Sequence, residues 1–186
     1  MLVVNTSATM AAAVDGARAS GPTVVHFSTA LDDGKWIVEL RAPDGSGPVQ
    51  DASVGEVIDL QGGGCLELLA AHPDPHRPVG SRLWRAEVVV AETVDAYLRA
   101  HGRAITYKYV QKSRPLTDYQ TIFADESGSA EMPSAARPFT EHLVTRLVTK
   151  GINVAPIVLH CGVSSLEAAE APQPERFRVP ATTAWL

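Results

Sequence analysis

A histidine at the end of an apolar segment is the first residue placed to do chemistry. His160 directly follows residues 152–159, which have the length and composition of a buried strand. In parallel α/β folds, catalytic and ligand-binding groups gather at the carboxyl ends of strands. His160 is therefore a candidate catalytic acid or base, and a histidine that only satisfies the strand end is the alternative interpretation.

The neighbouring Cys161 is a weaker candidate. A cysteine nucleophile needs a base that lowers its pKa, and the sequence positions none beside it. A small buried side chain is the better interpretation. Cys65 and Cys161 lie far apart and are too few for a disulfide framework or a four-ligand zinc site, so we expect both to be reduced.

Basic and aromatic side chains are interleaved between residues 101 and 120. Four basic residues stand against a single acid, Asp118, and three tyrosines lie among them. Basic groups bind phosphates and aromatic rings stack on bases, so this composition is typical of RNA recognition, although an ordinary solvated loop remains the alternative. The residues are Arg103, Lys108, Lys112 and Arg114, with Tyr107, Tyr109 and Tyr119.

Two further clusters favour turns rather than sites. His72 and His76 flank Asp74 in a proline-rich bend, but two histidines without a third ligand are weak evidence for zinc, and no metal is expected. Residues 62–64 are three glycines that lack the lysine and helix of a phosphate loop. They predict a hairpin turn.

The composition is that of a globular protein with room for one domain, or one domain with a small insertion. The chain has 186 residues, 45% of them hydrophobic, and a net charge of −5. No apolar run approaches the roughly 20 residues of a membrane span, and the first residues lack a signal-peptide pattern, so we expect a cytoplasmic protein that does not enter a membrane. Residues 1–100 hold 7 basic and 13 acidic side chains and residues 101–186 hold 9 and 8, so a polyanion would contact the second half.

Short strands separated by turn residues predict an antiparallel β module between about Val14 and Val94. Asp33-Gly34 and Asp44-Gly45 supply the positive φ values that tight turns need. The alternation of residues 36–41 predicts a half-buried strand. The strand segments are residues 24–27, 36–40, 56–60, 65–70 and 84–90.

Helical spacing appears only outside this module. A short helix is predicted after Thr93 and before Gly102, and a second one over an apolar stripe that ends at Gly151. The helix followed by the apolar residues 152–159 is the α-then-β step of a parallel α/β architecture, and residues 2–4 resemble another strand of it. The stripe consists of Phe139, Leu143, Val144, Leu147 and Val148.

Several segments together resemble one family. Residues 119–124 (YQTIFA), 128–129 (GS), 133–135 (PSA), 139–141 (FTE) and 159–162 (LHCG) are similar, in order and spacing, to the YQTVYA, GSVAAPTAGLHFT and LHVGxGTF signatures of the S-adenosylmethionine:tRNA ribosyltransferase-isomerases of queuosine biosynthesis. The opening LVVNT resembles that family's LVVNDT strand. The resemblance covers nearly the whole chain and is far more specific than any single motif.

This resemblance implies a fold of α/β plus all-β character. Residues 1–13 and 101–186 would form part of a (β/α) barrel, and residues 14–100 would form an inserted small antiparallel β-barrel. A complete (β/α)₈ barrel runs to about 250 residues. The α/β part is therefore expected to be incomplete.

The resemblance also implies an activity. The enzyme would transfer and isomerise the ribosyl group of S-adenosylmethionine onto 7-aminomethyl-7-deazaguanine in the anticodon loop of tRNA, giving epoxyqueuosine. His160 would be the catalytic base that deprotonates the ribosyl group beside its positive sulfonium centre. Binding of RNA would fall to Arg103, Lys108, Lys112 and Arg114, and the protein is expected to be a monomer. The expected substrate-binding residues are Asn5, Thr6, Tyr119, Gln120, Ser134, Phe139, Thr140 and Gly162.

Three motif positions depart from the family pattern. Pro138 stands where the family has a histidine, residues 164–166 read SSL in place of GTF, and residues 177–183 replace a segment with two histidines and a glutamate. Proton-transfer groups typically contribute about 10²- to 10⁴-fold each to a rate. The alternative interpretation is therefore a diverged, non-catalytic relative that binds a nucleotide or RNA. A small-molecule hydrolase using His160 with Ser164 or Ser165 is disfavoured, since no glycine-flanked serine elbow is present.

Overall fold

Six antiparallel strands close into a small barrel, in the order β3-β4-β5-β8-β7-β6. In the computed structural model, which describes residues 1–76, 80–108, 112, 114–163 and 173–185, the predicted β module is confirmed. Its strands are β3 (Ala13–Arg18), β4 (Gly21–Ala30), β5 (Trp36–Arg41), β6 (Val57–Leu60), β7 (Cys65–His72) and β8 (Leu83–Val89).

The barrel closes where β3 pairs with β6, with Gly16 opposite Leu60. A side chain at Gly16 would place its Cβ 2.9 Å from the Asp59 carbonyl oxygen, so the two strands can approach only because residue 16 is glycine. The interior is filled by apolar side chains that are fully buried, as expected for a small barrel. The largest are Phe27, Leu40, Ile58, Leu66, Leu68 and Trp84.

The turns of the barrel follow the sequence. Gly34 and Gly45 have φ values of 79° and 71°, and the glycines at 62–64 form the turn between β6 and β7. The bend at His72 begins with a cis peptide bond to Pro73. These turn predictions are confirmed.

Strand β5 is buried on both faces, so the prediction that it is half-buried is wrong. Ile37 and Glu39, on the face expected to meet solvent, are as buried as Val38. Ile37 lines a cavity outside the barrel, and Glu39 is enclosed by charged partners. Packing against other segments therefore overrides the alternation.

A short helix leads out of the barrel as predicted. Helix α1 (Val94–His101) begins at Thr93, whose hydroxyl accepts from the Ala96 N–H, and ends at Gly102. Tyr97 and Leu98 are buried and belong to the core of the barrel. The helix thus closes one end of the barrel core.

The remaining strands form two small sheets outside the barrel. Strand β1 (Leu2–Asn5) pairs in parallel with β10 (Val154–His160), which pairs antiparallel with β11 (Arg176–Arg178). Strand β2 (Ser7–Thr9) pairs in parallel with β9 (Glu126–Ser129). The sequence predicts that both β1 and β10 are strands of a parallel architecture, which this pairing confirms, but it does not predict that they are neighbours.

The apolar strand is less buried than its sequence predicts. It begins at Val154 rather than Ile152, and only Ala155 and Val158 are buried within it. The expectation of a strand covered on both faces is therefore wrong for the described residues. Within the described residues its sheet has three strands, and the neighbouring β1 is also partly open, with Val3 51% exposed.

Two helices accompany these sheets. Helix α2 (Glu141–Thr149) lies at the predicted place, and Gly151 follows it with a φ of 79°. Its apolar stripe is only half-buried, with Val148 54% exposed. The others are α3 (Ala181–Ala184) and two 3₁₀ turns, Leu116–Tyr119 and Ser134–Ala136. Among the described residues, no helix is both long and apolar enough to cross a membrane.

Candidate functional site

A cavity of about 880 Å³ lies where the barrel meets the sheet of β1 and β10. Its volume is within the range of about 300 to 1,000 Å³ that small-molecule sites occupy. The sheet contributes Asn5, Ile157 and Leu159, the barrel contributes Ser28, Thr29 and Ile37, and the segment 131–136 with Phe139 forms a third wall. The cavity therefore needs both parts of the chain.

His160 does not line this cavity. Alternation along β10 directs Ile157, Leu159 and Cys161 to the cavity, whereas His160 faces β2 and β9 on the opposite side. There its Nδ1 lies 2.8 Å from the Ser7 hydroxyl. Its Nε2 lies 3.7 Å from Glu126 Oε1. The structure therefore separates the predicted catalytic histidine from the cavity by the thickness of one strand.

The surroundings of His160 favour the neutral imidazole. Burial lowers the pKa of His160 below its usual value, the carboxylate of Glu126 opposes this, and the nearby Arg176 and Arg178 lower the pKa further. Arg178 also forms an ion pair with Glu126. At neutral pH the ring is therefore uncharged.

Among the residues that the structure describes, the carboxylate and guanidinium side chains in the cavity wall are two glutamates and one arginine. Glu131 accepts a hydrogen bond from the Tyr107 hydroxyl, and Glu175 Oε1 accepts from the Gly162 N–H at 3.1 Å. Arg176 is paired with Asp32 at 2.8 Å. The two carboxylates give this part of the wall an acidic character.

The Cys161 thiol, also in the cavity wall, is protonated at neutral pH. Burial raises the pKa of this thiol to about 11, and Glu175 and Glu131 add to the effect. A nucleophilic cysteine needs the opposite environment. The geometry thus agrees with the interpretation of Cys161 as a packed side chain.

Asn5 and Thr6 direct their polar groups to the neighbouring strand. The Asn5 amide donates to the Leu159 carbonyl at 2.8 Å and accepts from the Leu159 N–H at 2.9 Å. The Thr6 hydroxyl donates to the Ile157 carbonyl at 3.1 Å. Asn5 still borders the cavity, whereas Thr6 does not.

Tyr119 and Gln120 hold the end of β2. The Gln120 amide donates to the Thr9 carbonyl and accepts from the Thr9 N–H, both at 2.9 Å. The Tyr119 carbonyl accepts from the Thr9 hydroxyl at 2.7 Å. Neither residue borders the cavity, and sequence reasoning had no signal for these contacts across 110 residues.

Ser134, Phe139 and Gly162 do border the cavity. A Cβ at Gly162 would lie 2.9 Å from Ser28 Oγ, so the glycine allows the chain to pass close to the barrel. Thr140 caps α2, where its hydroxyl accepts from the Leu143 N–H at 3.2 Å. Of the eight predicted substrate-binding residues, four line the cavity: Asn5, Ser134, Phe139 and Gly162.

The comparisons with known proteins agree with the motifs that surround this site. A family model described as "Queuosine biosynthesis protein" matches residues 1–185. This chain belongs to that family. The match includes the barrel, both small sheets and the cavity wall.

Individual relatives carry one name. The chain is 30% identical to the S-adenosylmethionine:tRNA ribosyltransferase-isomerase of Acidiphilium cryptum over 184 residues, covering 96% of this chain and 50% of that protein. It is also 30% identical to the protein of this name from Methylocella silvestris, covering 96% of this chain and 50% of that protein. With the protein of this name from Trichlorobacter lovleyi the identity is 25%, covering 99% of this chain and 53% of that protein. This queuosine biosynthesis family member thus spans about half the length of the curated relatives it matches, and no solved structure matches it.

The four predicted RNA-binding residues of this family member are all exposed, but they differ in their partners. Arg103 forms an ion pair with Asp15 at 2.6 Å, and Arg114 lies 3.8 Å from Asp118. Lys108 lies beside Gly45, and Lys112 is exposed at the surface. The structure therefore places Arg103 in an existing ion pair.

The two described tyrosines of the predicted RNA-binding segment are not freely available to stack on bases. Tyr107 packs its ring against His26 and beneath the Arg41 guanidinium, 5.2 Å from the ring centroid, so it is committed to the barrel. Tyr119 is half-buried. Tyr109 and the motif residues at 164–166, including Ser164 and Ser165, lie outside the described residues.

Sequence reasoning missed the barrel side of the cavity and its acidic groups. Ile37, Glu131 and Glu175 carry no motif of their own, although Glu131 directly follows the GSA segment of the family signature. The sequence singles out His72 only as a possible metal ligand, whereas in the structure it lines the cavity. Among the described residues, no group of three potential metal-binding side chains comes together.

Proposed function

We propose that this chain binds S-adenosylmethionine and transfers and isomerises its ribosyl group onto 7-aminomethyl-7-deazaguanine of tRNA, which gives epoxyqueuosine. Adenine and methionine leave, and the methyl group is not transferred. The observation that carries the proposal is the family match over residues 1–185, together with relatives of that name over 96% of the chain. S-adenosylmethionine is then a consumed co-substrate, and no metal is invoked.

The cavity between the barrel and the sheet is the proposed site for S-adenosylmethionine. Its volume of about 880 Å³ suits a ligand of this size. The carboxylates of Glu131 and Glu175 would attract the positive sulfonium centre. Ser134 and the backbone N–H groups before α2 would hold the methionine carboxylate or the ribose.

His160 is proposed as the catalytic histidine of the reaction. Deprotonation of the ribosyl carbon beside the sulfonium requires a positioned proton acceptor, and the departing adenine takes up a proton from a donor. Because His160 does not line the cavity, a group that it contacts must approach from the side of Glu126 and Arg178. The cavity would then hold S-adenosylmethionine, and His160 would contact a reacting group on the other side of β10.

The tRNA anticodon loop is proposed to bind along the segment that contains Lys108, Lys112 and Arg114. Their side chains are exposed, and phosphate groups of a loop would replace solvent contacts and, at Arg114, the 3.8 Å ion pair with Asp118. Arg103 would contribute less, because its ion pair with Asp15 is closer, at 2.6 Å. The protein would act as a monomer in the cytoplasm, where tRNA is modified.

We also propose a domain division. Residues 1–13 and 101–186 would be part of a (β/α) barrel, and residues 14–100 would be inserted into it. Support comes from the two parallel strand pairs, β1 with β10 and β2 with β9, which lie on either side of the closed barrel in sequence.

The second candidate function is a non-catalytic relative that binds a nucleotide or RNA. Pro138 replaces a motif histidine, and residues 177–183 lack the two histidines and the glutamate of the family pattern. A loss of several proton-transfer groups would slow the family reaction by orders of magnitude while leaving a binding cavity intact.

Calorimetric titration with S-adenosylmethionine tests the proposed site. The wild-type protein is expected to bind it with a Kd in the micromolar range. Ala135→Trp, which places an indole in the cavity wall, is expected to weaken binding at least about tenfold. Ala100→Trp on the exposed side of α1 is the matched control and should leave the Kd unchanged.

Release of adenine then separates the two candidate functions. Wild-type protein with S-adenosylmethionine and tRNA that carries 7-aminomethyl-7-deazaguanine should release adenine if the chain is the proposed enzyme. Binding without adenine release would favour the non-catalytic relative. Absence of any binding at protein concentrations of tens of micromolar would overturn the proposed site.

A further inference from the structure

A chain of three hydrogen bonds leads from the backbone to His160. The Cys161 N–H donates to Ser129 Oγ at 3.0 Å, Ser129 Oγ lies 2.6 Å from Ser7 Oγ, and Ser7 Oγ lies 2.8 Å from His160 Nδ1. Ser129 is 0% exposed and Ser7 is 1% exposed. Solvent therefore cannot complete the hydrogen bonding of either hydroxyl.

The backbone amide orients this chain. An amide N–H can only donate, so Ser129 Oγ accepts from Cys161 and its own proton needs another acceptor. The hydroxyl of Ser129 meets two acceptors, Ser7 Oγ at 2.6 Å and the Cys161 sulfur, and sulfur is the weaker of the two. Ser7 then directs its own proton to Nδ1 of His160.

We infer that Ser7 and Ser129 are positioning residues that hold the neutral His160 in the tautomer with its proton on Nε2. Nδ1 is the acceptor of the Ser7 hydroxyl, and Nε2–H faces the side that carries Glu126 and Arg178. The lowered pKa of the buried ring is consistent with a neutral imidazole on which this choice matters.

The opposite tautomer leaves a buried donor with only a weak acceptor. If Nδ1 carried the proton, Ser7 would accept from His160 and would have to donate to Ser129. Ser129 would then accept twice, and its own hydroxyl proton would be left with the Cys161 sulfur in place of an oxygen. The arrangement with Nδ1 as acceptor keeps an oxygen acceptor or the ring nitrogen for every hydroxyl proton of the chain.

The position of the ring is fixed independently by Gly128. A Cβ at this position would lie 2.4 Å from His160 Nδ1 and Cε1, so the imidazole packs directly on the glycine backbone. The charged groups that face the ring are Glu126, Arg176 and Arg178. Of these, Glu126 is the nearest to Nε2, at a distance beyond a direct hydrogen bond.

The tautomer has a consequence for the proposed reaction. A neutral His160 with its proton on Nε2 donates from its open side, so it would act as a hydrogen-bond donor or general acid and not as the initial base. This role in a reaction rests on the proposed function. The tautomer itself does not depend on it.

Long-range ¹⁵N–¹H NMR of the imidazole rings in the ¹⁵N-labelled full chain tests the inference without any substrate. His160→Gln identifies the His160 signals among the six histidines. The wild type at pH 7.5 should show an unprotonated Nδ1 and a protonated Nε2, in about tenfold or greater excess over the other tautomer. A protonated Nδ1 would overturn the inference whether or not S-adenosylmethionine binds.

Three variants separate the hydroxyl chain from other influences. Ser129→Ala removes the group that sets the direction and should bring both tautomers into comparable populations, whereas Ser7→Thr keeps a hydroxyl and should preserve Nε2–H. Glu126→Gln removes the carboxylate near Nε2 and should also preserve it. Loss of Nε2–H in Glu126→Gln, or an unchanged tautomer in Ser129→Ala, would mean that Ser129 does not set the tautomer. The exposed Ser46→Ala is the control substitution.

Discussion

The Asn5 side chain binds the backbone of Leu159 as a continuation of β1 would. Its amide donates to the Leu159 carbonyl and accepts from the Leu159 N–H, at 2.8 and 2.9 Å, across 154 residues of sequence. Its oxygen also accepts from the Ser7 N–H at 3.0 Å. One side chain thus continues the pairing of β1 with β10 and starts β2, immediately beside the cavity.

Asn5→Ala is expected to lower the free energy of unfolding by about 2 to 4 kcal/mol. Three hydrogen bonds disappear, and each contributes about 0.5 to 1.5 kcal/mol. Urea unfolding measures the change. Asn153→Ala is the control, since Asn153 is exposed, and a loss as large as that of Asn5→Ala would contradict the assigned role.

Glu39→Gln is expected to destabilise the barrel by about 3 to 5 kcal/mol at pH 7. Glu39 is 0% exposed and accepts from His26 Nδ1 at 3.1 Å and from Arg82 at 2.8 Å, so the substitution removes a buried negative charge from the groups packed around it. Glu87→Gln, in an exposed ion pair with Lys35, should change the unfolding free energy by only about 0 to 1 kcal/mol. Equal effects of the two substitutions would be evidence against the buried network.

The same carboxylate should give the protein an acid-sensitive stability. Burial raises the pKa of Glu39, but the hydrogen bonds of His26 and Arg82 outweigh it and hold the pKa below its usual value. Its stabilising contribution is therefore present above the unfolded-state pKa of about 4.3 and is lost as the pH falls through the lower pKa of the folded state. Unfolding free energy measured between pH 6 and 3 should fall less steeply in Glu39→Gln than in the wild type.

Cys161 should react slowly with iodoacetamide. With a pKa of about 11, roughly 0.1% of the thiol is ionised at pH 8. In Cys65→Ser, the alkylation rate of Cys161 measured by mass spectrometry should rise about tenfold per pH unit from pH 7 to 9.5. A plateau within that range would contradict the raised pKa, and Cys161→Ser reports the background.

The triple variant Lys108→Ala, Lys112→Ala and Arg114→Ala should weaken tRNA binding and reduce its salt dependence. Each phosphate contact that is lost lowers the slope of log K against log salt by about 0.7 to 0.9. The matched control removes three exposed basic residues elsewhere, Arg99, Arg146 and Lys150. Filter-binding titrations at several salt concentrations should show an unchanged slope for the control, and an unchanged slope for the first triple variant would exclude this surface.

Thr140→Ala should cost about 1 kcal/mol of stability in the absence of any ligand. Its hydroxyl accepts from the Leu143 N–H and caps α2, and loss of such a cap typically has this effect. Thr145→Ala, inside the same helix, is the control and should be neutral or slightly stabilising, since alanine favours the helix. Thermal unfolding of both variants without S-adenosylmethionine decides whether Thr140 has a structural role apart from any contact with the ligand.

Local sequence patterns predicted five of the six strands of the barrel and its turns, but not β3 (Ala13–Arg18), which closes it against β6. The strands around residues 24–27, 36–41 and 65–70 and the turns at Gly34 and Gly45 depend on alternation and on glycine at positive φ, which are properties of neighbouring residues. Helix α1 ends at Gly102 for a similar local reason. The family motifs, which are also short, indicated the family that the whole-chain match then established.

The surroundings of each strand could not be read from these patterns. Alternation along β10 predicts that Leu159 and His160 face opposite sides, but only the packing of the barrel against the sheet decides that Leu159 meets the cavity. Glu39 occupies a position of the type that faces solvent, yet His26 and Arg82 enclose it. Alternation of side chains along a strand defines the two faces of that strand, but it does not specify which other segments cover each face.

The roles of the polar residues depended most on the tertiary structure. Sequence alone determined that Asn5, Gln120 and His160 belong to motif segments of a queuosine biosynthesis protein. The fold decided that Asn5 and Gln120 complete backbone pairing and that Ser7 reaches Nδ1 of His160 from 153 positions away. Hydrogen bonds act over about 3 Å in space, and only the folded chain brings groups so distant in sequence within that range.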